Sequence, residues 1–304
     1  MISRRYLVMI LIMIILIPVG IWAWLGYSNN LRDDEGESFN GERALTDVIR
    51  QTSLGPRIPG TIPHANVVDM ISSEVSSAGW HTEIQNSVQM GHPIRNIIAS
   101  RSDLPPTILI AAHYDSRIYA DLDPDQAKRH EPVPGANDGA SGVAVLLELA
   151  RTLPSETLPV WLVFFDAEDN GKIPGWDWIL GSRLFVKTIH IKPQAVIVVD
   201  MVGDNDLNIY MEGKSDPDLT QEIWQLAQEI GYSQYFINET KSNIIDDHIP
   251  FIEAGIPAVN IIDFDYPYWH TTSDTNDKVS AHSLEIVGTT LWTWIVNYNL
   301  AESD

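Results

Sequence analysis

Residues 158–171 read LPVWLVFFDAEDNG, and this stretch decides the fold that the sequence predicts. Its first half, residues 160–165, is an apolar run rich in branched and aromatic side chains, which is typical of a strand buried on both faces. Asp166, Glu168 and Asp169 follow the run directly. If only one strand ended in acidic residues, they would be interpreted as a solvated loop. In open α/β sheets, however, ligands bind outside the carboxyl ends of the strands, and clustered acids there need a compensating cation.

Three other apolar runs are followed by His or Asp, residue types that commonly bind metals. Each has the length and composition of a buried strand. A single histidine or aspartate at such an end would be explained by a hydrogen-bonded pair or a turn, but the repetition favours a shared metal site. The runs are 107–112 leading to His113 and Asp115, 195–199 leading to Asp200, and 258–262 leading to His270.

A glycine-rich turn supplies one more acid. Residues 134–142 read PGANDGASG, which places Asp138 next to a predicted helix over 139–153, and the glycines allow a sharp backbone turn. By itself Asp138 would be a helix cap. Together with the strand ends it completes a set of imidazoles and carboxylates without thiolates, which suits a catalytic zinc ion.

Strand and helix patterns alternate through the chain without repeats or low-complexity tracts. This alternation predicts an α/β fold with a mostly parallel, twisted central sheet and helices on both faces. Further predicted strands are 81–90 and 95–101, and the predicted helices are 44–52, 67–78, 139–153, 218–230 and 283–298.

Composition limits the function further. The chain of 304 residues has 41 acidic and 19 basic residues, a formal net charge of -22, and this balance argues against nucleic acid as a partner. The absence of cysteine excludes disulfides and thiolate metal sites, so any metal is bound by His, Asp or Glu. The sequence also lacks a serine nucleophile elbow and a phosphate-binding glycine motif.

The first 27 residues predict a membrane anchor. Arg4 and Arg5 precede residues 6–27, which carry no charge and are long enough to cross a bilayer as one helix. The alternative is a cleaved signal peptide, but its apolar region would be shorter and would end in a small-residue cleavage motif. The arginines predict a cytoplasmic N-terminus and a single span. Residues 28–43 would then be a stalk, and residues 44–304 an extracytoplasmic, zinc-dependent catalytic domain.

Several ordered segments resemble a family of zinc exopeptidases that contains bacterial secreted aminopeptidases and glutaminyl cyclases. The resemblance covers nearly all of residues 57–298, and the order of the segments makes it specific. The segments are AAHYDSR, VPGANDGASGVAVLLELAR, FFDAEDNG, VVDMVG, DDHIPFIEAGIPA and YWHTTSDTNDK.

The resemblance implies a role for each matching residue. Glu168 matches the general base, and Asp169 matches the metal ligand after it, where many members have glutamate. Asp115 matches the acid that orients a ligand histidine. The implied zinc ligands are Asp138 as the bridge, Asp169 and His270 for the first metal, and His113 and Asp200 for the second.

The two branches of this family differ in zinc content and in reaction. Aminopeptidases use all five ligands for two zinc ions, and Glu168 would deprotonate the water that attacks the first peptide bond. Glutaminyl cyclases typically hold one zinc ion, through the positions that match Asp138, Asp169 and His270. They convert an N-terminal glutamine to pyroglutamate, and Glu168 would move a proton from the α-amine to the departing ammonia.

Several features favour the cyclase branch. Asp246 would be a second acid in the proton relay, and Trp269 and Trp176 would be walls of the substrate pocket. The segment after His270, which contains Asp274, instead resembles aminopeptidases. We therefore expect a glutaminyl-peptide cyclotransferase-like enzyme that acts on peptide or protein N-termini. An aminopeptidase is the alternative, and a non-enzymatic, receptor-like ectodomain is a third hypothesis.

Overall fold

The structure is a computed structural model that describes residues 38–155 and 157–302. The predicted membrane anchor of residues 1–27 and most of the predicted stalk lie outside these residues. Among the residues that are described, no helix has both the length and the hydropathy needed to cross a membrane.

Strands form where the sequence places its buried apolar runs. The four runs that lead to candidate ligands are all strands, and their ends shift by at most one residue from the predicted bounds. The strands of the described chain are β1 His81–Gln89, β2 His92–Ser100, β3 Ile108–His113, β4 Val160–Phe165, β5 Ala195–Asp200, β6 Ile209–Glu212, β7 Phe236–Ser242 and β8 Ala258–Ile262.

The central sheet is mostly parallel, as predicted. Its strand order is β1-β2-β4-β3-β5-β8. Strands β4, β3, β5 and β8 run parallel, whereas β1 pairs antiparallel with β2, and β2 with β4. A separate pair, β6 with β7, was not predicted. Most residues of β7 are exposed and polar, so it lacks the apolar signal of a buried strand.

The helices include the five that the sequence predicts. Polar side chains cap several of them: Asn40 accepts a hydrogen bond from the Arg43 N–H, and Asp216 accepts one from the Leu219 N–H. Two short helices, Leu180–Thr188 and Ile249–Glu253, were missed because nine and five residues are too few to show helical periodicity. The helices are α1 Gly41–Ser53, α2 Ile62–Ser77, α3 Ala140–Thr152, α4 Leu180–Thr188, α5 Pro217–Glu229, α6 Ile249–Glu253 and α7 Ala281–Glu302.

Helices cover both faces of the sheet, which confirms the predicted layering. On one face, Phe185 of α4 and Phe251 of α6 pack against Phe165 of β4, with ring centroids between 5.5 and 6.2 Å apart. On the other face, residues of α1, α2, α3, α5 and α7 form one continuous apolar cluster with the alternate side chains of the strands. The sheet is therefore a rigid, water-excluding base for the loops at its edge.

The register of the parallel strands brings their carboxyl ends together. His113 of β3 lies beside Phe165 of β4, and Asp200 of β5 lies beside Ile262 of β8. The predicted ligands therefore emerge at one edge of the sheet, where α/β folds bind ligands.

Candidate metal centre and active site

His113 ends β3 and is almost fully buried. Its Nε2 lies 3.1 Å from Asp200 Oδ1 and 3.2 Å from Asp138 Oδ1, and its Nδ1 lies 3.4 Å from Asp115 Oδ1. One nitrogen thus faces two carboxylates that can share a cation, while an acid lies close to the other. A Cβ atom at Gly139 would lie 2.6 Å from His113 Cε1, so glycine is needed where this turn passes the imidazole.

His270 and Asp169 form a second group beside the first. His270 Nε2 lies 2.8 Å from Asp169 Oδ1 and 3.8 Å from Asp138 Oδ2. Asp138 therefore presents one carboxylate oxygen to each histidine. In the group of His113, Asp138 and Asp200, and in that of Asp138, Asp169 and His270, the candidate ligand atoms lie within 4.8 Å of one another.

The donor set fits a metal ion. Asp138 Oδ2 and Asp169 Oδ2 are buried and accept no hydrogen bond from the described residues. Burial of an unsatisfied carboxylate oxygen is costly unless a cation balances it. Imidazole nitrogens and carboxylate oxygens without sulfur are the ligands of catalytic zinc. Burial also raises the pKa of Asp200 to about 7, which shows how poorly this site solvates its own negative charge.

The turn that carries Asp138 is held from two sides. The Asp274 carboxylate accepts hydrogen bonds from the backbone N–H groups of Asn137, at 2.8 Å, and Asp138, at 3.2 Å. The guanidinium of Arg57, which is fully buried, donates to the carbonyl oxygens of Gly135 and Asp138 at 2.6 and 3.2 Å. The Asp138 carboxylate is therefore preorganised by its backbone, and burial raises the pKa of Asp274 to about 7.

Asp115 connects His113 to the turn that carries the predicted base. Besides its contact with His113, its carboxylate accepts hydrogen bonds from the N–H groups of Glu168, at 3.0 Å, and Asp169, at 3.3 Å. This single buried acid therefore sets the position of one candidate ligand histidine and of the Glu168-Asp169 pair.

Glu168 faces the cavity next to the metal groups and is 7% exposed. Burial raises the pKa of its carboxyl well above the ordinary value. The negative charges of Asp246, Asp169 and Asp247 raise it further, while His113 opposes the shift. A carboxyl in such a site, next to a space where a substrate can lie, has the position and the chemistry of a general base.

Three residues near the candidate ligands have a left-handed backbone. Ala167, Met201 and His270 have φ values of 53°, 47° and 56°. Such conformations cost about 1 kcal/mol or more for residues other than glycine and persist where the surrounding structure enforces them. They occur here beside Glu168, after Asp200 and at His270 itself, so three strained positions lie at the centre.

A cavity of about 170 Å³ opens beside the two groups. Acidic and aromatic side chains share its wall, so it can hold a cationic group and a flat or apolar group together. The acids are Asp138, Glu168, Asp169, Asp200 and Asp246, and the aromatic residues are Trp178, Phe264 and Trp269.

Trp176, predicted as a wall of the pocket, is not among the residues that line this cavity. Trp176 stacks on His92, with ring centroids 3.5 Å apart, and packs against a separate apolar cluster outside this cavity. Trp178 lines the cavity instead, and its ring lies 6.1 Å from that of His270. A Cβ atom at Gly171 would lie 2.1 Å from the Trp178 ring, so glycine makes room for it. The two tryptophans are two positions apart in a loop, where sequence gives no period from which to assign a direction.

Trp269 lines the cavity, where the resemblance placed it. Its ring lies 3.8 Å from that of His270 and 5.0 Å from that of Phe264. It therefore packs directly against the candidate metal ligand and can restrict the imidazole to one orientation.

Asp246 is buried and lines the same cavity as Glu168. The Asn260 side-chain amide donates a hydrogen bond of 2.6 Å to its Oδ2. The loop is anchored two residues later, where His248 Nε2 lies 3.1 Å from Glu212 Oε2 in a fully buried pair. These contacts hold the Asp246 carboxylate near Glu168, and its charge is among the causes that raise the pKa of Glu168.

Residues 96–295 match the family model described as Peptidase family M28. The chain belongs to this family. A glutaminyl cyclase structure from Porphyromonas gingivalis is 35% identical to this M28 chain, with a TM-score of 0.81, and covers 86% of this chain and 99% of its own. A leucine aminopeptidase precursor from Bacteroides thetaiotaomicron is 32% identical, with the same TM-score of 0.81 and the same 86% and 99% coverage. Glutaminyl-peptide cyclotransferase of Drosophila melanogaster is 24% identical over 83% of this chain and 79% of its own length.

These comparisons confirm the family resemblance and the zinc exopeptidase-like fold. They also show that this M28 chain is an enzyme, which sets aside the hypothesis of a receptor-like ectodomain. Sequence analysis did not identify Trp178 as a wall of the pocket, nor Arg57 and Asp274 as residues that hold the Asp138 turn. The position of Arg57 between the prolines of GPRIPG gave no signal of its burial, because a charged residue in a turn is ordinarily solvated.

Proposed function

We propose that this M28 enzyme is a zinc-dependent glutaminyl-peptide cyclotransferase, which converts the N-terminal glutamine of peptides or proteins to pyroglutamate and releases ammonia. The observation that carries this proposal is the second buried acid, Asp246, in the cavity that holds Glu168. A reaction that takes a proton from one nitrogen and returns it to another benefits from a second acid that raises the pKa of the base, because the base must also release the proton again. The glutaminyl cyclases among the similar structures support this proposal.

The dimensions of the cavity support a substrate that enters with one terminal residue. A volume of about 170 Å³ corresponds to roughly six water molecules at ~30 Å³ each. The rings of Trp178 and Trp269 offer flat surfaces for a side-chain amide. The acidic wall attracts a protonated α-amine, which all peptide N-termini share and which internal residues lack.

The reaction closes a ring between two ends of the same residue. The α-amine nitrogen attacks the side-chain amide carbon, the new C–N bond forms, and the bond to the amide nitrogen breaks. Glu168 accepts a proton from the amine and donates it to the departing nitrogen, which leaves as ammonia. A zinc ion held by Asp138, Asp169 and His270 would supply polarisation of the amide carbonyl. Trp178 and Trp269 would exclude bulk water, which otherwise competes with the amine as nucleophile.

A two-metal aminopeptidase is the second candidate, and the second ligand group favours it. His113, Asp138 and Asp200 bring their ligand atoms within 4.8 Å of one another, and they share Asp138 with the other group. In this case Glu168 would take the proton from the water that attacks the first peptide bond, and the product would be a free amino acid.

One pair of substrates separates the two candidates. The purified full-length protein, loaded with zinc, is incubated with two peptides that differ only in an N-terminal glutamine or leucine. Ammonia together with a pyroglutamyl peptide identifies a cyclase, and free leucine identifies an aminopeptidase. Each activity is compared with that of Glu168→Gln, which should lose it, so a contaminating enzyme is recognised. A zinc-loaded protein that yields neither product contradicts both candidates.

We further propose that residues 6–27 anchor the enzyme in a membrane with its catalytic region on the extracytoplasmic side. The uncharged length of the segment and the arginines at positions 4 and 5 support this proposal. The substrates would then be peptides or proteins that have already left the cytoplasm.

A further inference from the structure

Arg117, four residues after His113, lies beneath the candidate metal centre and is 1% exposed. Its guanidinium makes a two-point contact with the Asp121 carboxylate. Nε donates to Oδ1 at 2.8 Å, and Nη2 donates to Oδ2 at 2.7 Å. This parallel geometry is the strongest arrangement of an arginine and a carboxylate, and it fixes the direction of the acid as well as its distance.

The Asp121 carboxylate points to the side of His270 that faces away from the ligand group. Asp121 Oδ1 lies 3.7 Å from His270 Nδ1, while His270 Nε2 faces Asp169 at 2.8 Å. The next residue, Leu122, donates its N–H to the His270 carbonyl oxygen at 3.2 Å, so the two segments are also joined through their backbones. A movement of about 1 Å would shorten the Asp121 contact to a normal hydrogen bond.

The other N–H groups of Arg117 reach the Asp169 turn. Nη1 donates to the Asp169 carbonyl oxygen at 2.6 Å, and Nη2 donates to the Gly171 carbonyl oxygen at 3.2 Å. The guanidinium carbon also lies 5.2 Å from the centroid of the Trp178 ring, within the range of a cation–π contact. The buried Arg117 cation therefore contacts the Asp169 turn and the pocket wall directly. It reaches His270 through Asp121.

We propose that Arg117 and Asp121 are a positioning pair for the first metal site. Asp121 accepts the Nδ1–H of His270, so that the unprotonated Nε2 is presented to the metal ion. Arg117 holds Asp121 and the Asp169 turn at a fixed separation. His113 has the same arrangement, with Asp115 at its Nδ1. The inference rests on the metal centre of the proposed function, and it adds two residues to which neither the sequence analysis nor the ligand groups give a role.

The test measures zinc affinity rather than turnover alone. Zinc dissociation constants of the full-length protein are obtained by competition with a chromophoric chelator for the wild type, Asp121→Asn, Arg117→Lys and Asp125→Asn. Asp121→Asn keeps the shape of the side chain and removes its charge, and it should weaken zinc binding about 10–100-fold, the usual effect of losing an acid behind a ligand histidine. Arg117→Lys keeps the charge but loses the two-point contact, so it should also weaken zinc binding.

Asp125→Asn is the matched control. Its carboxylate lies in the same segment and accepts a hydrogen bond from the Ala127 N–H, away from the centre, so zinc affinity should not change. In the double variant of Arg117 and Asp121, the fold-loss of zinc affinity should be smaller than the product of the two single-variant losses. The reason is that the two residues act through one contact.

The outcomes separate this inference from the proposed function. A wild-type protein that binds no zinc contradicts the metal centre itself. A wild type that binds zinc, with unchanged affinity in Asp121→Asn, overturns the positioning pair and leaves the centre intact. The Asp121 side chain is 43% exposed, so its asparagine variant should keep the fold. Loss of the metal-free fold in that variant, seen by circular dichroism, would mean that the pair is structural and would also overturn the inference.

Discussion

Replacement of Glu168 by glutamine tests the division of roles within the Glu168-Asp169 pair. The carboxyl of Glu168 faces the cavity and has no hydrogen-bond donor among the described residues, so the amide leaves no protein group without its partner. The fold and the zinc content should therefore be retained. Asp169 differs, because its Oδ1 lies 2.8 Å from His270 Nε2 and its Oδ2 is buried without a hydrogen bond.

The expected loss of activity follows from the chemistry of the base. Removal of a general base typically costs about 10²–10⁴-fold in rate. At ~1.36 kcal/mol for each factor of ten, this raises the barrier by roughly 3–5 kcal/mol. Asp169→Asn should instead lower zinc affinity by more than ~10²-fold, because it changes a candidate ligand and not a residue behind one.

Two measurements on the same samples decide the result. Zinc content is measured after dialysis, and turnover of the glutamine and leucine peptides is measured with zinc in excess. Glu83→Gln, on the exposed edge strand β1, is the matched control and should resemble the wild type in both. If Glu168→Gln loses its metal while Asp169→Asn keeps it, the roles are reversed. If Glu168→Gln keeps both zinc and full turnover, Glu168 is not the base.

Three further predictions follow from the structure and the sequence. Trp178→Ala should raise KM for the glutamine peptide, whereas Trp176→Ala should change only thermal stability, because only Trp178 lines the cavity; an equal effect on KM from both would contradict this assignment. Burial raises the pKa of Asp263 to about 7, above its unfolded value, so its stabilising contribution is present below about pH 4 and is lost as the pH rises through 7. In urea unfolding measured from pH 4 to pH 8, Asp263→Asn should flatten the fall in the free energy of unfolding, and this difference is on the order of 4 kcal/mol at most. An unchanged pH profile would show that Asp263 titrates normally. With residues 6–27 in a membrane, protease added to intact cells should degrade the catalytic region, and its protection would contradict the proposed orientation.

Much of the candidate site could be read from the sequence because its residues follow buried strands. In a parallel sheet the carboxyl ends of the strands meet at one edge. An apolar run followed by His113, Asp169 or Asp200 therefore predicts that each of these side chains lies at that edge. Asp138 could be added because glycines flank it in a turn. Such positions depend on local pattern and on strand direction, and both are encoded over a few residues.

The pocket wall and the supporting contacts depended on tertiary structure. Trp176 and Trp178 are close neighbours in a loop, and only the packing of Gly171 and His92 determines which ring enters the cavity. Arg117 gives no sign in the sequence that it reaches Asp169, because the contact joins residues 52 positions apart.

By itself the sequence determined the strands that carry the candidate ligands, the layering of the sheet with helices and the chemistry at the sheet edge. These follow from side-chain periodicity and from the type of residue at each strand end. Only the tertiary structure decided that Asp138 divides its two oxygens between His113 and His270, and that Asp121 lies behind His270. Such contacts join distant segments at distances of a few ångströms, and no local pattern of residues fixes them.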